Sequence, residues 1–377
     1  MTYHPPLHFR ALPPLSLYIH IPWCARKCPY CDFNSHEARG ALPEQDYVAA
    51  LIADLEQALP LASDAEITLE ANPGTFEAEK FKAFRAAGVN RLSIGIQSFN
   101  SRHLKALGRI HDDVEARRAI EIATSNFDNV NLDLMYGLPE QAVEEALSDI
   151  EAALAFDPAH LSAYHLSIEP NTYFYRYPPK LPDDDATAAM QAAIEELLSR
   201  HGYLHYEVSA FAKRSDSPSD RDPRSGFLLS PLSSRLSSVC RHNLNYWTFG
   251  DYLGIGAGAH SKLSFADRIV RQMRYRQPKQ YMTSAAGGSG IQQEQEVSAR
   301  EVGFEFMMNA LRLTEGFEVN LFAERAGVSL NAVLKELDEA ERRGLITRDH
   351  RRIAPTPLGQ LFLNDLLQIF LPERVEA

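Results

Sequence analysis

The stretch Cys24-Ala-Arg-Lys-Cys28-Pro-Tyr-Cys31 holds three of the four cysteines of this chain, in the spacing C-x3-C-x2-C. Core cysteines rarely cluster in a loop. Structural zinc usually takes four protein ligands in separated pairs, and no second pair exists in this sequence. Three thiolates on one short loop can hold three irons of a [4Fe–4S] cube and leave the fourth iron open to another ligand. The spacing therefore favours an iron–sulfur cluster on Cys24, Cys28 and Cys31, with zinc and unrelated core cysteines as weaker alternatives.

The cysteine loop follows the first of several strand-like runs, most of which are followed by a helical pattern. The predicted strands are Leu15–Ile21, Glu66–Glu70, Arg91–Gly95, Val130–Met135, His160–Leu166 and Tyr203–Ser209. The predicted helices are Glu44–Leu59, Phe76–Ala87, Asp112–Ser125, Val143–Phe156 and Asp185–His201. Repeated strand–helix units predict an α/β fold with a parallel sheet, open or curled into a barrel. Reaction chemistry in such sheets lies at the C-terminal ends of the strands.

Composition and charge set further limits. The chain has 377 residues, of which 45% are hydrophobic and 23% charged, as in globular proteins. Its net charge of −12 disfavours nonspecific binding to nucleic acid. No apolar run approaches the roughly 18–20 residues that span a bilayer, and the first 14 residues do not resemble a secretory signal. With only four cysteines the chain is no disulfide scaffold, so we expect a cytoplasmic protein.

Further short motifs lie in order along the chain. They are Leu15-Ser-Leu-Tyr18-Ile-His20-Ile-Pro22, Glu70-Ala-Asn72-Pro-Gly74, Gly95-Ile-Gln97-Ser-Phe99, Gly108-Arg109-Ile-His111, Asn131-Leu-Asp133-Leu-Met-Tyr-Gly137-Leu-Pro139 and His242-Asn243-Leu-Asn-Tyr246-Trp247. With the cysteine loop they resemble the radical S-adenosylmethionine (SAM) superfamily, and within it the branch of oxygen-independent coproporphyrinogen III oxidases and heme chaperones. The resemblance implies a partial (βα) barrel of the TIM type, a [4Fe–4S] cluster and SAM.

The resemblance also implies which residues bind SAM. It places at the SAM site six residues at or near strand ends: Tyr18, Phe33, Glu70, Gln97, Arg109 and Asp133. Carboxylates at Glu70 and Asp133 would accept hydrogen bonds from ribose hydroxyls, and Arg109 would pair with the SAM carboxylate. The alternative is ordinary polar structure at strand ends.

Two classes of function share this scaffold. The oxidases of the branch usually carry a further cysteine two residues past the last cluster cysteine, where the chaperones carry phenylalanine; this chain has Phe33. The resemblance therefore favours a heme chaperone, to which we assign no catalytic residue. The first alternative is an oxygen-independent coproporphyrinogen III oxidase. The second alternative is a degenerate scaffold that keeps the cluster but has impaired SAM binding.

A second block supplies the candidate heme-binding residues. Imidazole and thiolate are common axial ligands of heme iron, which makes His242 and Cys240 candidates; Tyr246 and Trp247 would stack on the macrocycle. The alternative is that the aromatic residues are core and His242 is their hydrogen-bonded neighbour. We expect this block to lie far from the SAM residues.

Two departures from the family pattern bear on SAM binding. The family has another βα unit after the first helix, ending in a Gly-Gly-Gly-Thr-Pro turn that holds the SAM amino group. Here Leu55-Glu-Gln-Ala58 runs directly into Leu59-Pro-Leu-Ala62, and no triple glycine occurs anywhere in the sequence. The chain is thus one βα unit short, about 30 residues. The second departure is a Ser/Pro/Arg-rich insertion at 214–239, predicted to be disordered.

These observations predict five regions. They are an N-terminal tail (1–14), the radical SAM partial barrel (15–213), the insertion (214–239), the candidate heme segment and connection (240–297) and a winged-helix-like domain (298–377). Ser284–Gln295 is predicted to be a loop. DNA binding by the basic C-terminal residues is a weaker alternative than a solvated or protein-contacting face. The expected partners are heme and an acceptor protein that the sequence does not identify, a respiratory-chain hemoprotein being one candidate; a dimer stays open.

Overall fold

The computed structural model of the protein describes residues 7–55, 65–75, 78–214 and 238–372. The place of the predicted missing unit, between Gln57 and Leu59, lies outside these residues. So does nearly all of the predicted insertion 214–239.

Strands and helices alternate through the first half of the chain, as predicted. The strands are β1 (Leu15–Ile19), β2 (Trp23–Cys24), β3 (His36–Glu37), β4 (Thr68–Ala71), β5 (Arg91–Gln97), β6 (Val130–Tyr136), β7 (His160–His165), β8 (Tyr203–Glu207) and β9 (Ala210–Lys213). The helices are α1 (Glu44–Leu55), α2 (Ala78–Ala86), α3 (Ser101–Ala106), α4 (Asp113–Thr124), α5 (Val143–Leu154), α6 (Tyr173–Arg176) and α7 (Asp184–Arg200). Within the described residues, every predicted strand and helix of this region is confirmed to within a few residues.

The main sheet has the order β4-β5-β6-β7-β9-β8, and its first four strands are parallel. Strand β5 is buried along its whole length, with Leu92, Ile94 and Ile96 fully enclosed. Burial of every residue is typical of parallel strands that are covered on both faces. The prediction of a wholly parallel sheet is wrong at one edge, where β9 pairs antiparallel with β7 and β8. The run predicted as one strand, Tyr203–Ser209, is β8 plus the turn into β9.

A second sheet contains β1 and the strands that follow the candidate heme segment. These strands are β10 (Asp251–Ile255), β11 (His260–Ser264), β12 (Ile269–Arg274) and β13 (Ile291–Val297), and the order in the sheet is β1-β10-β11-β12-β13. Helix α8 (Arg241–Trp247) precedes β10, and helix α9 (Pro278–Ala286) lies between β12 and β13. The predicted loop Ser284–Gln295 is wrong, because α9 runs into it and β13 begins at Ile291. Strand β13 lies at the edge of the sheet and is exposed over most of its length. Its polar and charged Gln and Glu residues discourage this edge from pairing with another chain.

The missing βα unit leaves a discontinuity between the two sheets. In the described strands, β1 pairs with β10 and β4 pairs with β5, and no pairing joins β1 to β4. Helix α8 connects the two: Asn245 Nδ2 donates to Ser16 Oγ of β1 (2.8 Å), and His242 Nδ1 lies 3.5 Å from Thr68 Oγ1 of β4. The partial barrel is therefore split, with a helix bridging the two separated strands.

The C-terminal region has the predicted winged-helix order. Its elements are α10 (Val302–Ala310), β14 (Phe317–Glu318), α11 (Val319–Ala326), α12 (Leu334–Arg342), β15 (Ile346–Arg348), β16 (Arg352–Pro355), α13 (Pro357–Leu361) and α14 (Leu363–Gln368). Phe306 packs edge-on against Phe317 and Phe322 in its core. Leu7 and Phe9, in the segment expected to be a tail, are buried in this core. The basic residues Arg342 and Arg348 pair with acidic neighbours on α12.

Asp149 of α5 fixes the turn that follows β5, and its burial gives a prediction on pH. Ser98 Oγ and the Phe99 backbone N–H donate to its carboxylate, both at 2.7 Å. Burial raises the pKa of Asp149 to about 6, although these two hydrogen bonds lower it. The native state then keeps this proton to a higher pH than the unfolded chain. The free energy of unfolding should fall by about 1–3 kcal/mol as pH rises from about 4 to about 6.

Urea unfolding of the parent chain and of Asp149→Asn across this range is the measurement. Asp149→Asn should make the fall smaller, leaving the part that comes from Asp133, whose pKa is also raised to about 6, whereas Asp128→Asn, at an almost fully exposed side chain, should keep all of it. Parallel pH curves for the parent and Asp149→Asn would contradict the prediction.

Candidate functional site

The three loop cysteines lie just past the C-terminal end of β1, where the sheet geometry places chemistry. Cys24 belongs to β2, which pairs with β3, and the Cys31 backbone N–H donates to the Cys28 carbonyl at 3.2 Å. All three thiols are free and partly exposed. Burial and the charges of Cys31 and Cys28 raise the pKa of Cys24, while Arg109 and Lys27 lower it. The thiols are thus close enough to influence one another beside two cations.

The donor set fits an iron–sulfur cluster better than a single zinc ion. A tetrahedral zinc site brings its ligand atoms to within roughly 4 Å of one another. Among the described residues, one group of three metal-binding side chains has its ligand atoms within 4.8 Å, and it is not the cysteine loop. Three thiols that are spread further apart suit the corners of a cube.

Four of the predicted SAM residues meet around the ends of β4, β5 and β6. Gln97 ends β5 with a positive φ of 69°, which is a strained conformation of the kind found at functional sites. Its amide, Arg109 and Asn72 lie close to Gly95, where a Cβ atom would come within 2.8 Å of Gln97 Nε2. Arg109 Nη1 donates to Asn72 Oδ1, while Arg109 Nε is buried and has no partner. That orphaned donor fits a carboxylate such as that of SAM.

Asp133 lies opposite Gly95 in the neighbouring strand β6 and is half-buried. Ser93 Oγ and Asn131 Nδ2 donate to it at 2.9 and 2.8 Å. Burial, and then the charge of Glu70, raise the pKa of Asp133 to about 6. At neutral pH it is therefore mainly a carboxylate, which can accept hydrogen bonds from hydroxyl groups.

Tyr18 and Phe33 differ in their setting. Burial, and then the charge of Glu70, raise the pKa of Tyr18 to about 12, which places Tyr18 close to Glu70. Phe33 is 68% exposed and lines an open cavity of about 470 Å³ beside Cys31. Neither position tests SAM binding, so the assignment of all six residues to SAM stays a prediction.

The four candidate heme residues lie along α8, from Cys240 just before it to Trp247 at its end, and a residue that sequence analysis missed pairs with His242. Glu66 Oε1 accepts from His242 Nδ1 (3.0 Å) and from the Arg241 backbone N–H (3.0 Å). Burial disfavours the imidazolium, but hydrogen bonds to Cys240 and Glu66 raise the pKa of His242 to about 10. Burial opposes ionisation of Glu66 too, yet His242 and Arg91 lower its pKa. The sequence carried no signal for Glu66, which looks like any polar residue before a strand.

The other three candidates are largely packed into the protein. Cys240 is 1% exposed. Tyr246 packs edge-on against Tyr252, with ring centroids 4.9 Å apart. The guanidinium of Arg312 lies over the Trp247 ring at 5.1 Å. In this arrangement His242, whose side chain is 26% exposed, is the member best placed to meet a ligand from outside; ligation and stacking stay predictions.

The heme candidates and the SAM candidates are neighbours, contrary to expectation. His242 contacts Thr68 in β4, and Glu70 lies two residues further along the same strand. Burial, and then the charges of Tyr252, Tyr18, Cys240 and Glu70, raise the pKa of Tyr246. The two groups come together because α8 occupies the space between β1 and β4, which the sequence pattern did not reveal.

Comparison with known proteins agrees with this architecture. Residues 41–153 match the family model "Radical SAM superfamily", and residues 297–362 match "HemN C-terminal domain". The structure resembles coproporphyrinogen III oxidase (HemN) from Escherichia coli, with a TM-score of 0.75 at 21% identity over 95% of this chain and 90% of that one. The fold is that of a radical SAM protein with a HemN-type C-terminal domain.

Similar sequences narrow the class of radical SAM protein to which the chain belongs. The chain is 44% identical to "Heme chaperone HemW" of Escherichia coli (strain K12) over 96% of this chain and 99% of that protein, and 32% identical to that of Bacillus subtilis (strain 168) over 95% and 99%. It therefore belongs to the HemW family. The first alignment spans 403 positions, more than the 377 residues present here, so that relative has residues with no counterpart in this chain.

None of the helices in the described part of the chain is both long and apolar enough to cross a membrane.

Proposed function

We propose that the protein is a heme chaperone, which binds heme and transfers it to an acceptor protein in the cytoplasm while carrying a [4Fe–4S] cluster and SAM. The observation that carries the proposal is the similarity to relatives named heme chaperone HemW along nearly the full length of both chains. Phe33 supports it, because a hydrophobic side chain stands where the oxidases of the branch usually have a thiol.

The residues at the strand ends have distinct roles in this proposal. Cys24, Cys28 and Cys31 hold the cluster. When bound, a cluster of this class supplies one iron without a protein ligand, at which SAM can chelate. Arg109 offers its unpaired Nε–H to the SAM carboxylate, and Asp133 accepts from the ribose hydroxyls.

Heme binding is assigned to His242, because its imidazole is partly exposed and held in place. Glu66 fixes Nδ1, a pairing that orients a metal-binding imidazole. The imidazole must lose its proton to ligate iron. A pKa of about 10 for His242 therefore opposes ligation at neutral pH, and Tyr246 and Trp247 would have to leave their present partners to stack on heme.

We expect His242→Ala to weaken heme binding about tenfold or more and to change the Soret band, since an axial ligand is lost. In the unaltered protein, heme affinity should rise with pH between about 7 and 10, because the proton on His242 competes with iron; His242→Ala should lose that dependence. Heme titration of metal-free, anaerobic protein is the measurement. His201→Ala, at an exposed histidine after α7, is the matched control. An unchanged affinity and spectrum in His242→Ala would exclude His242 as the ligand.

The oxidase alternative is tested on the same reconstituted protein. Incubation with coproporphyrinogen III and SAM should yield no decarboxylated porphyrinogen, and Phe33→Cys should not create that activity, because a substrate needs many positioned contacts. Turnover by the unaltered protein would replace the chaperone proposal with the oxidase.

A further inference from the structure

A second group of metal-binding side chains lies away from the cysteine loop. The ligand atoms of Glu66, Cys240 and His242 are all within 4.8 Å of one another. His242 Nδ1 is 3.0 Å from Glu66 Oε1, and Cys240 Sγ is 3.3 Å from both ring nitrogens of His242. In a tetrahedral site with metal–ligand bonds of about 2.0–2.3 Å, ligand atoms stand roughly 3.3–3.7 Å apart. The three side chains already approach that spacing.

The burial of Glu66 and Cys240 suits a single ion, whereas the more exposed His242 can also meet a larger ligand. Cys240 is 1% exposed, and the Glu66 side chain is 8% exposed. A porphyrin needs an open face at its iron, whereas one ion needs only converging ligand atoms. The backbone N–H groups of Arg241 and His242 donate to Glu66 and hold its carboxylate, as partners of metal ligands commonly do.

The charge and the donor types identify the class of ion. A carboxylate and a thiolate together balance the charge of a divalent cation. One sulfur, one nitrogen and one oxygen ligand are a set that Zn²⁺ accepts, with a fourth position left open.

We propose that Glu66, Cys240 and His242 form a mononuclear site for Zn²⁺ or a similar divalent transition metal, which ties α8 to the start of β4. The ion joins the two separated sheets at the gap left by the missing βα unit. This site is inferred independently of the proposed heme function. Since His242 is common to both, a bound ion and heme ligation by His242 exclude each other.

The test uses Co²⁺ as a spectroscopic probe on the full chain with Cys24→Ser, Cys28→Ser and Cys31→Ser combined, so that Cys240 is the sole thiol. We expect one Co²⁺ per chain, a thiolate-to-cobalt charge-transfer band and the intense visible bands of a four-coordinate site. Adding Cys240→Ser should abolish the charge-transfer band. Adding Glu66→Gln, which keeps the shape of the side chain, should weaken binding about 10–100-fold. Glu79→Gln, at an exposed position on α2, is the matched control and should change nothing.

Zinc analysis of the otherwise unaltered, anaerobically reconstituted protein is the second measurement. It should find one zinc per chain, retained in Glu79→Gln and lost in Cys240→Ser, with circular dichroism showing that each variant folds. The proposal is overturned if no charge-transfer band forms, if the band persists in Cys240→Ser, or if folded Glu66→Gln binds Co²⁺ as tightly as its parent. None of these readouts involves heme, so failure here is distinct from failure of the chaperone proposal.

Discussion

Replacing Cys28 with alanine should abolish the [4Fe–4S] spectrum of the anaerobically reconstituted protein. In the proposed assignment the three loop thiols each bind one iron of the cube, and the loop has no further cysteine to take the place of a lost ligand. Iron and sulfide content per chain, with the visible absorption and the electron paramagnetic resonance of the reduced protein, are the measurements. We expect a full cluster in the parent chain and none in Cys28→Ala.

The fourth cysteine provides the matched control. Cys240 is buried at the start of α8 and contacts His242 and Tyr206 rather than the loop, so Cys240→Ser should keep the full complement of cluster iron. A complete cluster in Cys28→Ala would contradict the assignment. So would zinc in place of iron that disappears in Cys28→Ala but persists in Cys240→Ser.

Much of the fold could be predicted because its signals are local. Short strand-like runs such as that of β5 and helices that are followed by glycines such as Gly88 and Gly202 are visible in the sequence alone. The errors arise where long-range pairing decides the structure. Ser284–Gln295 is polar because β13 is an exposed edge strand, and a composition typical of loops does not separate these two cases.

The candidate sites show the same difference between local signals, which the sequence reveals, and long-range contacts, which it does not. The cysteine loop was predictable as a candidate metal site because its three thiols lie within eight consecutive residues. Glu66 and His242 are 176 residues apart in sequence, and their pairing depends on how α8 settles between β1 and β4. Asn72 was part of a recognised motif, but its contact with Arg109 required the folded sheet.

Restoring the missing βα unit should strengthen SAM binding by roughly tenfold to hundredfold for each hydrogen bond regained. The glycine-rich turn of that unit brings backbone groups close to the SAM amino group, an approach that glycine permits. A hydrogen bond to a charged group contributes about 1.5–3 kcal/mol, and each 1.4 kcal/mol is a factor of about ten in affinity. Isothermal titration calorimetry with SAM would compare this chain with one that carries a family-like unit between Gln57 and Leu59.

A third chain distinguishes the effect of the glycine-rich turn on SAM affinity from the effect of the added strand. In it the grafted unit keeps its strand but has alanines in place of the three glycines, so it restores neighbours for β1 and β4 without the close approach. If the turn is responsible, only the glycine-bearing graft binds SAM more tightly. If both grafts gain equally, the gain comes from rejoining the two sheets, which α8 bridges through side chains and its own N-terminal backbone. Equal affinities in all three chains would mean that Arg109, Gln97 and Asp133 already provide whatever binding this site has, and that the missing turn is not what limits it.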